Sequence, residues 1–264
     1  MNIIDKIVNA WLYSSVLLAA LIIFPLISLS IYAIFNSSLS QLNNEIVFES
    51  IKLTLSTSVI SLFITVVFGT PLAYLLSKAK SDFLQSLTSL IQFPIFIPPT
   101  VAGIALILLF NQSSFIGGML ASIGIEIPFT IFAVIIAQVF VSSPFYIRTL
   151  QLGLINIQPA YSESARLLGA SSLRNMLFVV LPNLKHSILI GILLTWSRSV
   201  GELGATLIFA GNILGITQTM PLAILSSFES SNGFDFAVII AFISILISAL
   251  VVVSISYISE KIIN

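Results

Sequence analysis

The sequence predicts an all-α polytopic membrane protein with about six transmembrane helices. Composition is the first reason: 58% of the residues are hydrophobic and 8% are charged, against about 25% charged in ordinary soluble domains. The second is spacing, because charge-free runs recur at lengths near the roughly 20 apolar residues that cross a hydrocarbon core about 30 Å thick. With no cysteine in the chain, a disulfide framework, a thiolate metal site and a cysteine nucleophile are all excluded. The formal net charge of zero points to no partner, and no nucleic acid is expected.

The first run, residues 11–35, follows Lys6 and could be mistaken for a secretory signal. Its length and the five runs behind it argue for a retained membrane helix. The second occupies 53–77. The third, 83–110, contains Pro94, Pro98 and Pro99, which remove backbone donors and are expected to break the helix. Irregular backbone at membrane depth survives only where protein or a water-filled cavity satisfies the freed carbonyls. A break beside a translocation path and a packing kink both fit. Runs at 127–147, 187–210 and 236–258 complete the set. No linker, low-complexity tract or clear internal repeat appears, so residues 1–264 read as a single domain with a core at about 50–258.

Lys and Arg stay on the cytoplasmic side of membrane proteins. With the N-terminus inside, Lys6, Lys78, Lys80, Arg148, Arg166, Arg174, Lys185 and Lys261 are all cytoplasmic, Lys52 alone is outside and Arg198 lies within a run. Both termini are then cytoplasmic, and the protein is a multi-pass component of the cell membrane. Segments 36–52 and 212–235 are external and offer docking surfaces for a protein that delivers substrate. The longest polar interruption, 156–186, is internal.

That interruption can build two short helices by its own chemistry. Tyr161, Ala165 and Leu168 fall at i, i+4 and i+7, the anchor spacing of a helix docked in a groove. Pro159 suits the first turn, Glu163 sits where the helix dipole favours an anion, and Gly169 supplies a stop. Ser171 can cap a second helix with Leu173, Met176, Leu177 and Val180 as its apolar positions, and Pro182 is expected to end it.

Glu163-Ser164-Ala165, then Gly169 after three intervening residues, and Val179-Val180-Leu181-Pro182 resemble the coupling loop of ABC importer permeases. The departures are Ser164 and Val179, both close in size to the residues they replace. The resemblance implies the type I ABC importer permease fold, with Tyr161, Glu163, Ser164, Ala165, Leu168 and Gly169 forming a helix that lies in a groove of an ATPase subunit. It also implies two copies of this chain, two ATPase subunits that carry ATP and Mg, and a periplasmic or extracellular oxyanion-binding protein, with membrane lipid around the whole. The chain itself shows no phosphate-cradling Gly, four residues, Gly-Lys-Ser/Thr loop. It is therefore expected to be no enzyme and to hold no cofactor or metal.

In the fifth run, Arg198 and Glu202 stand one helical turn apart and can pair. Charges at this depth are costly and face a bundle interior or a cavity. Thr195 and Thr206 extend the same polar stripe, while Gly201, Gly204 and Ala205 permit close helix approach. Arg198 as an oxyanion contact and the pair as a neutralised structural element are both open.

The segment from Arg198 to Asn212, followed by Thr217-Gln218-Thr219-Met220-Pro221, resembles the fifth-helix signature of molybdate and tungstate permeases. Pro98-Pro99-Thr100-Val101 is similar to a stretch of the same group. Leu214 departs from the pattern, where many relatives have Pro. Sulfate and thiosulfate permeases are the nearest alternative. An intramembrane hydrolase would need a base within a span. The sole histidine, His186, sits at the cytoplasmic start of the fifth run and reads as an interfacial basic residue.

Overall fold

The computed structural model describes residues 3–36, 45–78, 81–157, 159–231 and 233–263. Lys80 and residues 37–44 of the first outer segment lie outside the described residues, as do the side chains of Lys6 and Lys261. The described chain contains helices and no strand. In order they are α1 (Ile3–Asn36), α2 (Glu45–Ser77), α3 (Asp82–Gln92), α4 (Pro99–Phe110), α5 (Phe115–Ser122), α6 (Ile131–Ile155), α7 (Pro159–Leu167), α8 (Ser172–Asn175), α9 (Leu181–Asn183), α10 (Lys185–Val200), α11 (Gly204–Phe209), α12 (Met220–Glu229) and α13 (Phe234–Ile263). A 3-10 turn, Phe93–Ile95, follows α3, and a π turn, Met176–Val180, joins α8 to α9.

Among the described residues four helices, α1, α2, α6 and α13, are long and apolar enough to cross a membrane, and two bent pairs bring the possible spans to six. The third run is broken, as its prolines led one to expect. Its halves meet at 113°, because Pro94, Pro98 and Pro99 cannot donate to the carbonyls one turn back. Before the bend, α3 is amphipathic: Ser81 caps it by accepting from Leu84 N, and Leu87 and Ile91 pack on the core while Asp82, Gln85 and Ser89 are exposed.

The expected fifth run, by contrast, is corrected. The helix α10 ends at Val200 and α11 begins at Gly204, so residues 187–210 hold two helices with a break at 201–203. Pro182 does not end the second loop helix. It lies in the first turn of α9, where a missing N–H is tolerated, and the 74° bend comes after Asn183.

The centre of the bundle is α6, flanked by α2 and α10. The helix α2 runs parallel to it: the Thr70 and Tyr146 hydroxyls are 2.8 Å apart, and Gln151 Nε2 donates to Leu76 O at 3.3 Å. The helix α10 runs antiparallel: Gly153 meets Ser187, Gly191 meets Tyr146, and Thr195 Oγ1 donates to Ser142 O at 3.4 Å. Small and hydroxyl side chains let these helices approach. Along α2, Ser50, Thr54, Thr57, Ser58, Ser61 and Thr65 are buried, most of them bonding back to their own helix carbonyls. Ser61 and Ser199 join α2 to α10 at 2.8 Å. Polar groups inside a bilayer thus find partners without leaving the helices.

Three apolar clusters surround this seam. One holds Ala102, Leu106, Ala133, Val134, Ala205 and Phe209. A second holds Ala73, Leu76, Tyr146, Leu150, Val180 and Leu184. The third, with Val47, Trp196, Met220 and Ile240, seats α12 and α13. Outside them, α1 packs on α13 through the Tyr32 and Phe234 rings, 5.6 Å apart and edge to face, with Tyr32 OH donating to Asp235 Oδ1 at 3.1 Å.

Candidate coupling helix and polar joint

The helix α7 ends in a Schellman motif that only its glycine makes comfortable. Gly169 has φ +81°, its N–H donates to Arg166 O at 2.9 Å, and Ala170 N–H donates to Ala165 O at 3.0 Å. These are the paired closing bonds of that cap. Ser171 then caps α8 by accepting from Arg174 N at 3.3 Å. The outer face of α7 is unburied, with Tyr161 50% exposed and Leu168 89% exposed, and the same holds for Leu167, which the helical spacing did not select. Glu163 and Ser164 are exposed too, while Ala165 is half-buried. The expected anchors therefore share an uncovered surface, and Ala165 faces partly inward.

Behind α7, the second loop helix plugs into the bundle. Val180 and Leu184 are buried against Ala73, Leu76 and Leu150, and Met176 packs on the same cluster. Leu173 and Leu177, the other two apolar positions of this helix, are exposed. Leu181 N–H reaches back five residues to Met176 O, and Asn183 Nδ2 donates to Val179 O at 2.7 Å. A displacement of α7 would thus be felt by α2 and α6 through a packed joint.

The polar stripe divides into two parts. Thr195 is fully buried toward α6, and Thr206 is fully buried on α11. Arg198 is 28% exposed at its side chain and pairs with Glu202, which is completely buried there: Nη2 to Oε2 is 2.8 Å. The second carboxylate oxygen of Glu202, Oε1, accepts from Ala205 N–H at 2.8 Å. Sequence reasoning missed this bond. Its signal was an acid just before a Gly-Ala helix start, where a carboxylate satisfies a free amide and the helix dipole together.

Glu202 thereby ties the end of α10 to the start of α11 across the break. The two broken spans also lock together. A methyl group on Gly204 would meet Pro99 Cβ at 2.9 Å, and one on Gly103 would meet Ala205 O at 2.9 Å. Gly201, expected to serve the same close approach, has only Ser197 O within 4 Å, at 3.6 Å, and contributes no such contact. Pro98 adopts extended backbone, φ −56° and ψ 135°, and Pro99 opens α4. The three prolines thus turn the chain so that α4 packs along α11. His186 lies in the first turn of α10 and is half-buried, and no group of three metal-ligating side chains occurs among the described residues.

Residues 65–264 match the family of binding-protein-dependent transport system inner membrane components. The probable transport system permease protein NifC of Clostridium pasteurianum is 39% identical over 205 residues, which cover 77% of this chain and 72% of that protein. The molybdenum transport system permease protein ModB of Mycobacterium tuberculosis is 35% identical over 206 residues, 78% of this chain and 77% of that one. The sulfate transport system permease protein CysT of Salmonella typhimurium is 34% identical over 206 residues, 78% and 73% respectively. A solved structure of a bacterial alginate ABC transporter, in complex with a periplasmic protein holding an alginate pentasaccharide, superposes with a TM-score of 0.75 at 18% identity over 99% of this chain and 98% of that chain. The chain accordingly belongs to the binding-protein-dependent transport system inner membrane components and has the fold of a type I ABC importer permease.

Proposed function

We propose that this chain is the membrane subunit of an ATP-driven importer of molybdate or tungstate, with ATP and Mg held by a separate ATPase. The observation that carries the coupling part is the uncovered face of α7, closed by the Gly169 cap and backed by a helix that packs on α2 and α6. In this reading two copies of the chain form the pathway, and each seats α7 in one ATPase subunit. Closure of the ATPases on ATP moves both α7 helices. The packed joint at Val180 and Leu184 passes the movement to α2 and α6, and the pathway turns outward to receive oxyanion from a binding protein. Hydrolysis returns it inward.

The substrate assignment is supported by the Gly201 to Asn212 segment, which matches the molybdate and tungstate signature. Whole-chain identity does not separate ModB from CysT, at 35% and 34%, so sulfate is the second reading. Selectivity resides in the binding protein, because Arg198, the cation within the span, is already neutralised by Glu202. Vesicles containing the complete transporter should take up molybdate or tungstate only with both ATP and loaded binding protein, and excess sulfate should compete poorly. Equal competition by sulfate would assign the chain to the sulfate group.

A further inference from the structure

The two ends of the bundle carry opposite charge. At the end that holds the start of α2, the turn between α5 and α6 and the turn between α12 and α13 stand Glu45, Glu49, Glu126, Glu229 and Asp235, with Lys52 as the basic residue. The end bearing α7 has Lys78, Arg148, Arg166, Arg174 and Lys185 against Asp82 and Glu163. An oxyanion importer with an acidic receiving face repels its free substrate.

A furrow runs across that acidic end. One chamber, about 250 Å³, is lined by Glu45, Ile46, Glu49, Leu214 and Gly215. The next, about 350 Å³, shares Ile46 and Leu214 and adds Gln218, Ser226 and Phe236. Glu45 and Glu49 stand at i and i+4 on α2, a repulsive arrangement for two carboxylates, and among the described residues neither has a salt-bridge partner. Gln218 is 8% exposed. Its Nε2 donates to Ser226 Oγ at 3.1 Å, whereas its Oε1 has no hydrogen-bond partner. That oxygen is itself closed off from the furrow. The furrow offers two carboxylates in one chamber and, in the next, the hydroxyls of Ser226, Ser227 and Ser230 among Ile46, Leu214, Phe236 and Ile240. A carboxylate pair beside apolar walls fits a long cationic side chain, whose alkyl stem lies along Ile46 and Leu214 while its charged head meets the acids.

We propose that the furrow receives a lysine or arginine side chain of the docking oxyanion-binding protein. Glu45 and Glu49 hold its charge, and Ile46 and Leu214 line its stem. This rests on the reading of the chain as a binding-protein-dependent oxyanion importer. The acidic face then admits the oxyanion only under the cover of a basic protein surface, which also steers the two proteins together.

Because the chain has no cysteine, Leu214→Cys places a single thiol on the wall shared by both chambers. In the complete transporter, a cationic methanethiosulfonate should modify it about tenfold faster than an anionic one, after normalisation to a free thiol, as expected for a focused negative field. Glu45→Gln with Glu49→Gln should bring that ratio close to unity. Molybdate-loaded binding protein should protect Cys at 214. In the carboxamide variant, the binding-protein concentration that half-maximally stimulates ATP hydrolysis should rise about tenfold at low salt, with a flatter salt dependence.

If loaded binding protein stimulates the unmodified complex but leaves the thiol reactive, the furrow proposal is overturned and the functional reading stands. If it does not stimulate the unmodified complex at all, the functional reading falls and the furrow proposal with it. Efficient cross-linking between two copies through position 214 without binding protein would make the furrow a copy interface and also overturn the proposal.

Discussion

Gly204 lies against the ring of Pro99 so closely that any side chain at 204 would come within 2.9 Å of Pro99 Cβ. This contact, together with that of Gly103 on Ala205, joins the two broken spans, one interrupted by prolines and the other at 201–203. Substituting Gly204→Val should therefore force α4 and α11 apart and destabilise the subunit by about 1–3 kcal/mol, the usual range for overpacking a tight interior. Gly201→Ala, next to open space and at φ −86°, should change little. Thermal unfolding of the two variants in the same detergent compares them directly, and equal melting temperatures would show that the joint is not tight.

Arg198→Gln should leave the Glu202 carboxylate buried with Ala205 N–H as its remaining partner, costing about 1–3 kcal/mol. The double change Arg198→Gln with Glu202→Gln should recover much of that loss, since the new carboxamide oxygen can still accept from Ala205 N–H and no charge is stranded. A double-mutant cycle on stability and on turnover checks this. If the double variant is as impaired as the single, and isolated permease binds molybdate through Arg198, the pair is a substrate site.

At the end of α7, Gly169→Ala should cost about 1 kcal/mol, because alanine resists the positive φ that the cap requires. No steric neighbour adds to this, since nothing lies within 4 Å of the position. The variant should insert normally yet hold the ATPase more weakly. Tyr161→Ala with Leu168→Ala should weaken the same association by removing exposed apolar surface. Co-purification of the ATPase and its binding-protein-stimulated hydrolysis are the measurements, and unchanged values for both variants would remove α7 from the mechanism.

The orientation can be read with an impermeant thiol reagent. Ser113→Cys, exposed between α4 and α5, should react from outside, and Ser171→Cys, exposed at the start of α8, only after permeabilisation. The reverse pattern would invert the topology and move the coupling helix away from ATP.

The residues that spoke clearly in the sequence were those whose effect is local. Gly169, Ser171 and the prolines at 94, 98 and 99 act on their own turn of chain, and each does what its backbone chemistry requires. The interruption at 201–203 was hidden because Gly201-Glu202-Leu203 sits in an apolar run and carries no proline. What breaks the helix there is tertiary: Gly204 must meet Pro99, and Glu202 supplies the bond that the interrupted ladder loses. The π turn at Met176–Val180 was equally illegible, since nothing in composition marks it. Leu167 escaped the anchor pattern because it lies off the i, i+4, i+7 spacing of Tyr161, Ala165 and Leu168, although it is as exposed as Leu168.

The helix α1 touches the rest of the fold chiefly at α13, through the clasp of Tyr32 on Phe234 and Asp235, and only 6% of its spanning window is buried. At 1.5 Å per residue its 34 residues reach about 51 Å, well beyond a hydrocarbon core of about 30 Å. Such a rod accommodates a thinner or thicker bilayer by leaning. Its clasp on α13 lies apart from the serine and threonine seam between α2 and α10. Lipid composition would then alter the outline of the transporter before it altered the moving parts.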